Sequence, residues 1–333
     1  VLARAGALPL PIKWFSIPQC WRYERMQRGR GREHYQWNVD IWGSTGIEAD
    51  VELLAVLCSF LGRVGLAPAE VGIRVSSRKV LQEVLDSVGV AGEQFAAVCI
   101  VVDKLGKLPP DEAAAQLGKL GPDNTAVATI QRVLGLRDLD TLAAALGDDS
   151  GAVAELRSLW ALAEGYGLTE WLEFDGSIVR GLAYYTGPVF EAHDRHGELR
   201  AVCGGGRYDR LLSSFGGKDL PATGFGFGDM VILELLKDRG RLPQLAGSVQ
   251  DVVFALNPGL RPAAMDVAGR LRTQGRSVDL VLDEKRLKWA LKHADRCGAE
   301  RLLLLAPKEW ERGLVKVRDL ASGAESEVVP DAL

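Results

Sequence analysis

The chain has 333 residues, enough for two or three domains with at least one large core. It is 47% hydrophobic and 25% charged with a formal net charge of −4, which excludes a generic polycation that coats nucleic acid but allows a local basic site. The five cysteines (Cys20, Cys58, Cys99, Cys203, Cys297) are scattered without a CxxC pair, which argues against disulfide stapling and zinc, and no apolar run reaches the ~20 residues of a membrane span.

The opening VLARAGALPLPIKWF has no initiator Met, no signal-peptide layout and no clean helix start, and it reads as a chain entered partway through a larger protein. Residues 12–42 read as two strands around a polar loop. Arg22 and Glu24 share one face of the first strand. In the second, Gln36, Asn38 and Asp40 share a face, while Tyr35, Trp37, Val39 and Ile41 belong to a core. Residues 47–63 show helical spacing, with acids early and Arg63 late. A strand at 71–75 and a helix at 77–88 follow. From about 91 to 172 the chain is Ala/Leu-rich and reads as an inserted helical subdomain broken at PP, GPD and GDDSG, with Trp160 and Trp171 as packing residues.

Strands and glycines return at 173–228. SIVRGLAYYTGPVFEAHD reads as strand, turn, strand. LRAVCGGGRYDRLLSSFG reads as strand, glycine turn, helix. PATGFGFGDMVILELLKDRG reads as a glycine-rich strand entering a helix. After a linker at 239–248 come a strand at 251–257, a helix at 261–274, a strand at 277–283, a helix at 286–297, a strand at 301–307 and a terminal hairpin. The domain expectation is therefore 1–90 and 173–240 as two parts of one core, 91–172 as an insertion, and 248–333 as a separate unit.

Five arginines (Arg22, Arg25, Arg28, Arg30, Arg32) crowd the loop RYERMQRGRGREH. An arginine on the face of Gln36 and Asp40 needs an anionic partner, and a polyphosphate fits, because guanidinium forks onto phosphate oxygens. CGGGRYDRL lacks the GK[ST] ending of a P-loop, and GFGFG is not a dinucleotide fingerprint. Glycine in strands suits a backbone laid against a ligand as well as tight packing. Tyr184 and Tyr185, beside Arg180, suggest an aromatic pocket with hydroxyl handles. His193 and His196 flank a turn-like DRHG, more simply a turn than a metal pair.

The ordered set RYERMQRGRGREHYQWNVD, VRGLAYYTG, VCGGGRYDRL and PATGFGFG resembles the histidyl-tRNA synthetases, of class II, in their bacterial type found in plant and algal organelles. The resemblance implies an α+β class II catalytic domain (an antiparallel sheet with helices), a helical insertion and a C-terminal α/β anticodon-binding domain. It implies ATP-dependent ligation of L-histidine to tRNA(His) through a histidyl-adenylate, with Mg2+ accompanying ATP, a homodimer, and a chloroplast or mitochondrial location. Carried over by position, Arg22 and Arg180 are the catalytic cations at the α-phosphate. Gln36, Asp40, Tyr184, Tyr185 and Tyr208 hold histidine. Arg22, Glu24, Arg30, Gly226 and Gly228 hold ATP. No metal-binding residue is implied.

The chain departs from the family at three points. Ala183 stands where many members have an acid, Asp40 where many have Glu, and Val231 where the motif 3 arginine is expected, a charge that Arg30 or Arg207 could supply. Motif 1 and the Thr-x-Glu loop that grips the α-amino group would lie upstream of Val1. The expectation is a fragment with impaired histidine binding and dimerisation. The rival expectations are a non-catalytic histidine sensor of the ATP phosphoribosyltransferase regulatory type, an inactive synthetase fragment, or another class II synthetase such as the prolyl or threonyl enzyme.

Overall fold

The structure, a computed structural model, describes residues 7–90, 93–102, 109–147, 149–179, 184–197, 199–243 and 249–333. The chain forms two compact units, Val1–Leu242 and Pro243–Leu333.

In the first unit β1 (Ile12–Ser16), β2 (Gln19–Trp21) and β3 (Glu33–Trp42) form one edge of a sheet. The first expected strand is broken in two because Pro18 has no N–H to give the ladder. Its carbonyl still accepts from Gln36 N at 3.1 Å, so both pieces stay paired with β3, Trp14 opposite Asp40 and Cys20 opposite His34. Then come α1 (Glu48–Arg63), β4 (Val71–Ser77), α2 (Arg78–Ser87) and five helices: α3 (Glu93–Val102), α4 (Pro110–Gly118), α5 (Asn124–Leu134), α6 (Leu139–Leu146) and α7 (Gly151–Gly165). The GPD and GDDSG breaks supply N-caps: Asp123 accepts from Ala126 N at 2.8 Å and Ser150 from Val153 N at 3.1 Å. These helices share the sheet's apolar core, where Ile130, Leu156 and Leu159 are buried with Leu53, Leu57 and Ile73.

The unit closes with β5 (Leu172–Phe174), β6 (Pro188–Asp194), β7 (Cys203–Arg207), β8 (Ala222–Gly228) and α8 (Asp229–Asp238). The strand order is β1-β3-β8-β7-β6-β4-β5, with β2 also on β3, and every pair is antiparallel except β4 with β5. Three local expectations fail in this unit. The glycines of CGGGR are not a turn; they form strand β7. The helix expected after them is one 3-10 turn at Ser213–Phe215. Tyr35, expected in the core, lies half exposed at the sheet edge.

One face of β3 and β8 is apolar. Trp37 packs on Phe225 at 5.3 Å and on Phe60 of α1 at 5.2 Å, and Phe60 packs on Phe227. Within this layer Arg207 reaches from β7 to Asp50 of α1. Its Nε donates to Asp50 Oδ2 at 3.0 Å, its Nη1 to Ser44 O and its Nη2 to Gly46 O, while Thr223 Oγ1 donates to Asp50 Oδ1 at 2.7 Å. Burial pushes the Asp50 carboxyl up to about 6, against the pull of Arg207.

The second unit contains β9 (Asp251–Ala255), α9 (Arg261–Thr273), β10 (Val278–Leu280), α10 (Leu287–Arg296), β11 (Arg301–Leu305), α11 (Pro307–Glu311), β12 (Val315–Asp319) and β13 (Glu325–Val328). The sheet order is β10-β9-β11-β12-β13, parallel on either side of β9 and antiparallel beyond β11. Alternate residues feed two cores: Val253, Leu303 and Leu305 under α9, and Val252, Phe254, Leu302 and Leu304 under α10. Asp251 is fully buried where the two parallel ladders start, and Arg276 Nη2 and Arg301 Nε meet it at 3.0 and 2.7 Å. Burial opposes its charge, but the two guanidiniums outweigh burial and lower its pKa from 3.8. This contribution to stability is therefore complete above pH ~4 and is lost as the pH falls through the lowered value. Asp251→Asn should destabilise this unit by about 3 kcal/mol, since it removes the acid that holds Arg301 and one of the two that hold Arg276. Urea unfolding followed by Trp289 and Trp310 fluorescence checks it, and an unchanged midpoint would contradict the assignment.

Candidate active site

The opposite face of the first sheet carries the site. In β3 the even residues Gln36, Asn38 and Asp40 point to it, and register places Gly228, Gly226 and Gly224 of β8 directly beside them. The next strand continues the pattern, with Gly204 opposite Gly226 and Gly206 opposite Gly224. Three adjacent strands thus present a polar row and then a floor with no side chains. Gly224 shows why. A Cβ there would meet the Val39 carbonyl at 2.7 Å and collide with both Asp40 Oδ1 and Tyr208 Oη.

Two contiguous cavities share Gln36, Gly204 and Gly226. The larger, about 620 Å³, is aromatic, lined by Trp14, Phe15, Trp42, Tyr184, Tyr185 and Tyr208 above Asn38 and Asp40. The Tyr184 ring lies 4.8 Å from that of Tyr185 and 5.8 Å from that of Tyr208. Tyr208 donates its hydroxyl hydrogen to Asp40 Oδ1. Burial raises the pKa of Asp40, partly offset by that hydrogen bond; burial and the Asp40 charge also raise that of Tyr208, which keeps the phenol a donor. Gln36 Nε2 donates to Asn38 Oδ1 at 2.6 Å, which fixes both amides.

The smaller cavity, about 270 Å³, is cationic. It is lined by Arg22, Arg30 and Arg200, with Glu191 on β6 and with Gly29, Gly31 and Gly228 leaving backbone exposed. Arg22 follows β2 and keeps its pairing, donating its N–H to Arg32 O at 2.8 Å, so its side chain shares the face of His34 and Gln36 and hydrogen-bonds the His34 ring. Arg30 forks onto Glu24, which lies 4.0 Å from Arg22 Nη1. Gly226 borders both cavities, and a Cβ on Gly228 would meet nothing within 4 Å.

The structure therefore brings Arg22, Arg30, Gln36, Asp40, Tyr184, Tyr185, Tyr208, Gly226 and Gly228 to one continuous groove. Glu24 stands behind it, tied to Arg30. Arg180 and Ala183 lie outside the described residues. Val231 does line the cationic end, but Arg207 cannot supply charge there. Strand alternation sends Arg207 to the core side, where Asp50 and Asp209 hold it. Sequence reasoning missed Arg200, His34 and Trp42. Arg200 had a signal, since it falls on the same even spacing as Val202 and Gly204.

His193 and His196 face different acids, Glu173 and Asp194. Among the described residues, Asp279, His293 and Cys297 of the second unit are the cluster with metal-ligating groups within reach of one another. Both ring nitrogens of His293 are engaged, Nε2 with Asp279 Oδ2 at 2.6 Å and Nδ1 with Arg296 Nη2 at 2.9 Å.

An antiparallel sheet whose open face joins an aromatic, carboxylate-floored pocket to an arginine-lined groove, with a separate α/β unit on the same chain, defines a class II aminoacyl-tRNA synthetase. The histidyl-tRNA synthetase pattern matches residues 2–229, and that of the anticodon-binding domain matches residues 250–333. The chain is 51% identical over 328 residues to the chloroplastic/mitochondrial histidine–tRNA ligase of Arabidopsis thaliana, covering 98% of this chain and 68% of that protein. It is 39% identical to the histidine–tRNA ligase of Opitutus terrae, covering 98% and 76%. The chain belongs to the histidyl-tRNA synthetase family. Its fold matches the crystal structure of histidyl-tRNA synthetase from Nostoc sp. PCC 7120 with a TM-score of 0.73 at 24% identity, over 99% of this chain and 78% of that one.

Gly224→Ala should cost about 1–3 kcal/mol, because one of the three atoms it meets is backbone and cannot rotate away. Thermal unfolding checks this; a variant melting with the parent would contradict the close approach.

Proposed function

We propose that the chain carries the histidine–tRNA ligase reaction: histidine and ATP form histidyl-adenylate, and the histidyl group then passes to tRNA(His). The observation that carries the reading is the continuity of the two cavities through Gln36, Gly204 and Gly226, which lets an amino acid and a nucleotide meet over one sheet.

Histidine would lie in the aromatic end. The carboxylate of Asp40, fixed by Tyr208, suits an imidazole N–H, and Tyr184 and Tyr185 close the wall. A pocket built to hydrogen-bond its substrate rejects analogues that leave its buried polar groups unpaired. The triphosphate would lie in the cationic end. An oxygen of the histidine carboxylate attacks the α-phosphorus, the bond to the bridging oxygen breaks, and pyrophosphate leaves with the electron pair. Arg22 would stabilise charge on the α-phosphate, and the geometry needs no protein nucleophile. Arg30 would release Glu24 to take an outer phosphate. Mg2+ would arrive with ATP and screen its phosphates; the groove's mixture of Glu191 with arginines fits a metal-bearing polyphosphate. In the second step a terminal ribose hydroxyl of tRNA attacks the carbonyl carbon and AMP leaves.

The second unit would bind the anticodon. The exposed side of α10 and the turn before it carry Lys285, Arg286, Lys288, Lys292 and Arg296 around Trp289, whose ring stacks on His293 at 4.6 Å. That is a backbone-binding surface with an aromatic platform. Self-association is read from the β1–β2 loop, β2 and the residues just after it, which expose Ile17, Trp21 and Tyr23 at one sheet edge; a second copy is the occupant this reading assigns. The Arabidopsis relative's name supports an organellar setting. No helix among the described residues is long and apolar enough to cross a membrane.

Histidine-dependent ATP–pyrophosphate exchange tests the reading, with proline and threonine as controls. Exchange with histidine alone is expected, and Asp40→Ala should raise the histidine KM about 100-fold while leaving the ATP KM within about twofold. Histidine binding without any exchange would favour a sensor. Sedimentation velocity tests the edge: a dimer that Ile17→Glu with Trp21→Glu dissociates supports it, and a monomeric parent or an unchanged sedimentation coefficient in the variant sinks it.

A further inference from the structure

Resting on the reading of the cationic groove as the ATP site, we propose that Arg200, on the connection between β6 and β7, is a third phosphate ligand that grips the outer phosphates of the nucleotide. Arg200 lines the groove with Arg22 and Arg30. It comes from the β6–β7 connection, whereas Arg22 and Arg30 come from the segment between β2 and β3, so the three guanidiniums reach the groove from two separate stretches of chain. Its Nη2 donates to Gln27 Oε1 at 2.6 Å. Gln27 in turn exchanges backbone hydrogen bonds with Arg30 at 3.1 and 2.9 Å. Arg200 is therefore tied to the arginine loop as well as lining the groove.

The other arginines of this region have different partners. Arg28 is committed to Glu234 and Asp238 of α8, Arg32 donates to the Glu24 carbonyl, and Arg207 is buried against Asp50. Arg200 meets a neutral amide among the described residues, which fixes its direction without cancelling its charge. Loss of water, then the like charges of Arg200 and Arg22, lower the pKa of Arg30. Glu24 already pairs with Arg30 and lies 4.0 Å from Arg22, so a polyphosphate competes with one carboxylate there, but it offers several negative oxygens to all three guanidiniums. The bland alternative is a solvated surface arginine, or one that serves only to hold the loop. The convergence of guanidiniums from two stretches of chain on a cavity also lined by Val231 and the open Gly228 carries the ligand role. Arg200 would then stabilise the charge that leaves as pyrophosphate.

Because Arg200 is exposed, its truncation leaves the core intact. Calorimetry on the purified protein, Arg200→Ala and Arg200→Lys would use ATP, inorganic pyrophosphate, AMP and histidine as probes. Arg200→Ala should weaken ATP and pyrophosphate about tenfold, and Arg200→Lys should recover part of that loss, as expected for one charge-assisted contact. AMP and histidine should stay within about twofold. Unchanged ATP and pyrophosphate affinity in Arg200→Ala would overturn the proposal. So would an equal loss for all four probes, which would mark Arg200 as a loop strut only. Exchange measured alongside separates the two claims. A parent that exchanges with histidine while Arg200→Ala binds ATP normally refutes Arg200 alone. A parent that binds ATP through Arg200 but exchanges with no amino acid refutes the synthetase reading and keeps the phosphate ligand. A parent that binds neither ATP nor pyrophosphate overturns both.

Discussion

The register between β3 and β8 is the constraint on which the site depends. Gln36, Asn38 and Asp40 stand beside Gly228, Gly226 and Gly224, and the residues between them put Trp37 and Val39 against Phe227 and Phe225. A slip of one residue would turn every side chain to the other face, placing phenylalanines in the groove and carboxamides in the core. The aromatic layer against Phe60 and the buried Arg207–Asp50 pair hold that register from beneath. The pair is costly to bury and costly to break, which makes it a device for specifying one arrangement of β7 against α1 more than a source of net stability.

With the register fixed, the glycines acquire their meaning. A floor without side chains across β8 and β7 lets a ligand lie against backbone while the walls supply chemistry. One end has a carboxylate fixed by a phenol and ringed by aromatics, the other has guanidiniums, and Gln36 stands at the junction. This separation of an aromatic end from a cationic end is the arrangement that a reaction relying on alignment and charge neutralisation would use.

The second unit solves a different problem. Its parallel strands start at one buried carboxylate, Asp251, which two arginines neutralise, and its two cores are sorted by strand alternation. The strand expected at 277–283 is present but shorter, Val278–Leu280, and the helix α11 was not evident beforehand, because PKEWE is too short for a helical period to show.

By itself the sequence determined the alternation at 35–41, the helices expected at 47–63, 77–88 and 261–274, which the structure trims by a residue or so at their ends, and the motif order that marks the family, because these are local periodicities or unbroken strings. It placed Arg22 on the face of Gln36 only on condition that the two strands pair, and the β2–β3 register met that condition. The tertiary structure alone decided how the glycines are used. CGGGR is a strand and not a turn because its neighbours β6 and β8 pair with it on both sides, and no local propensity announces that. It also decided that Arg207 serves the core while Arg200 faces the groove. Both are arginines close to the same glycine run, and only the direction of the pleat and the position of Asp50, 157 residues away in the chain, tell them apart.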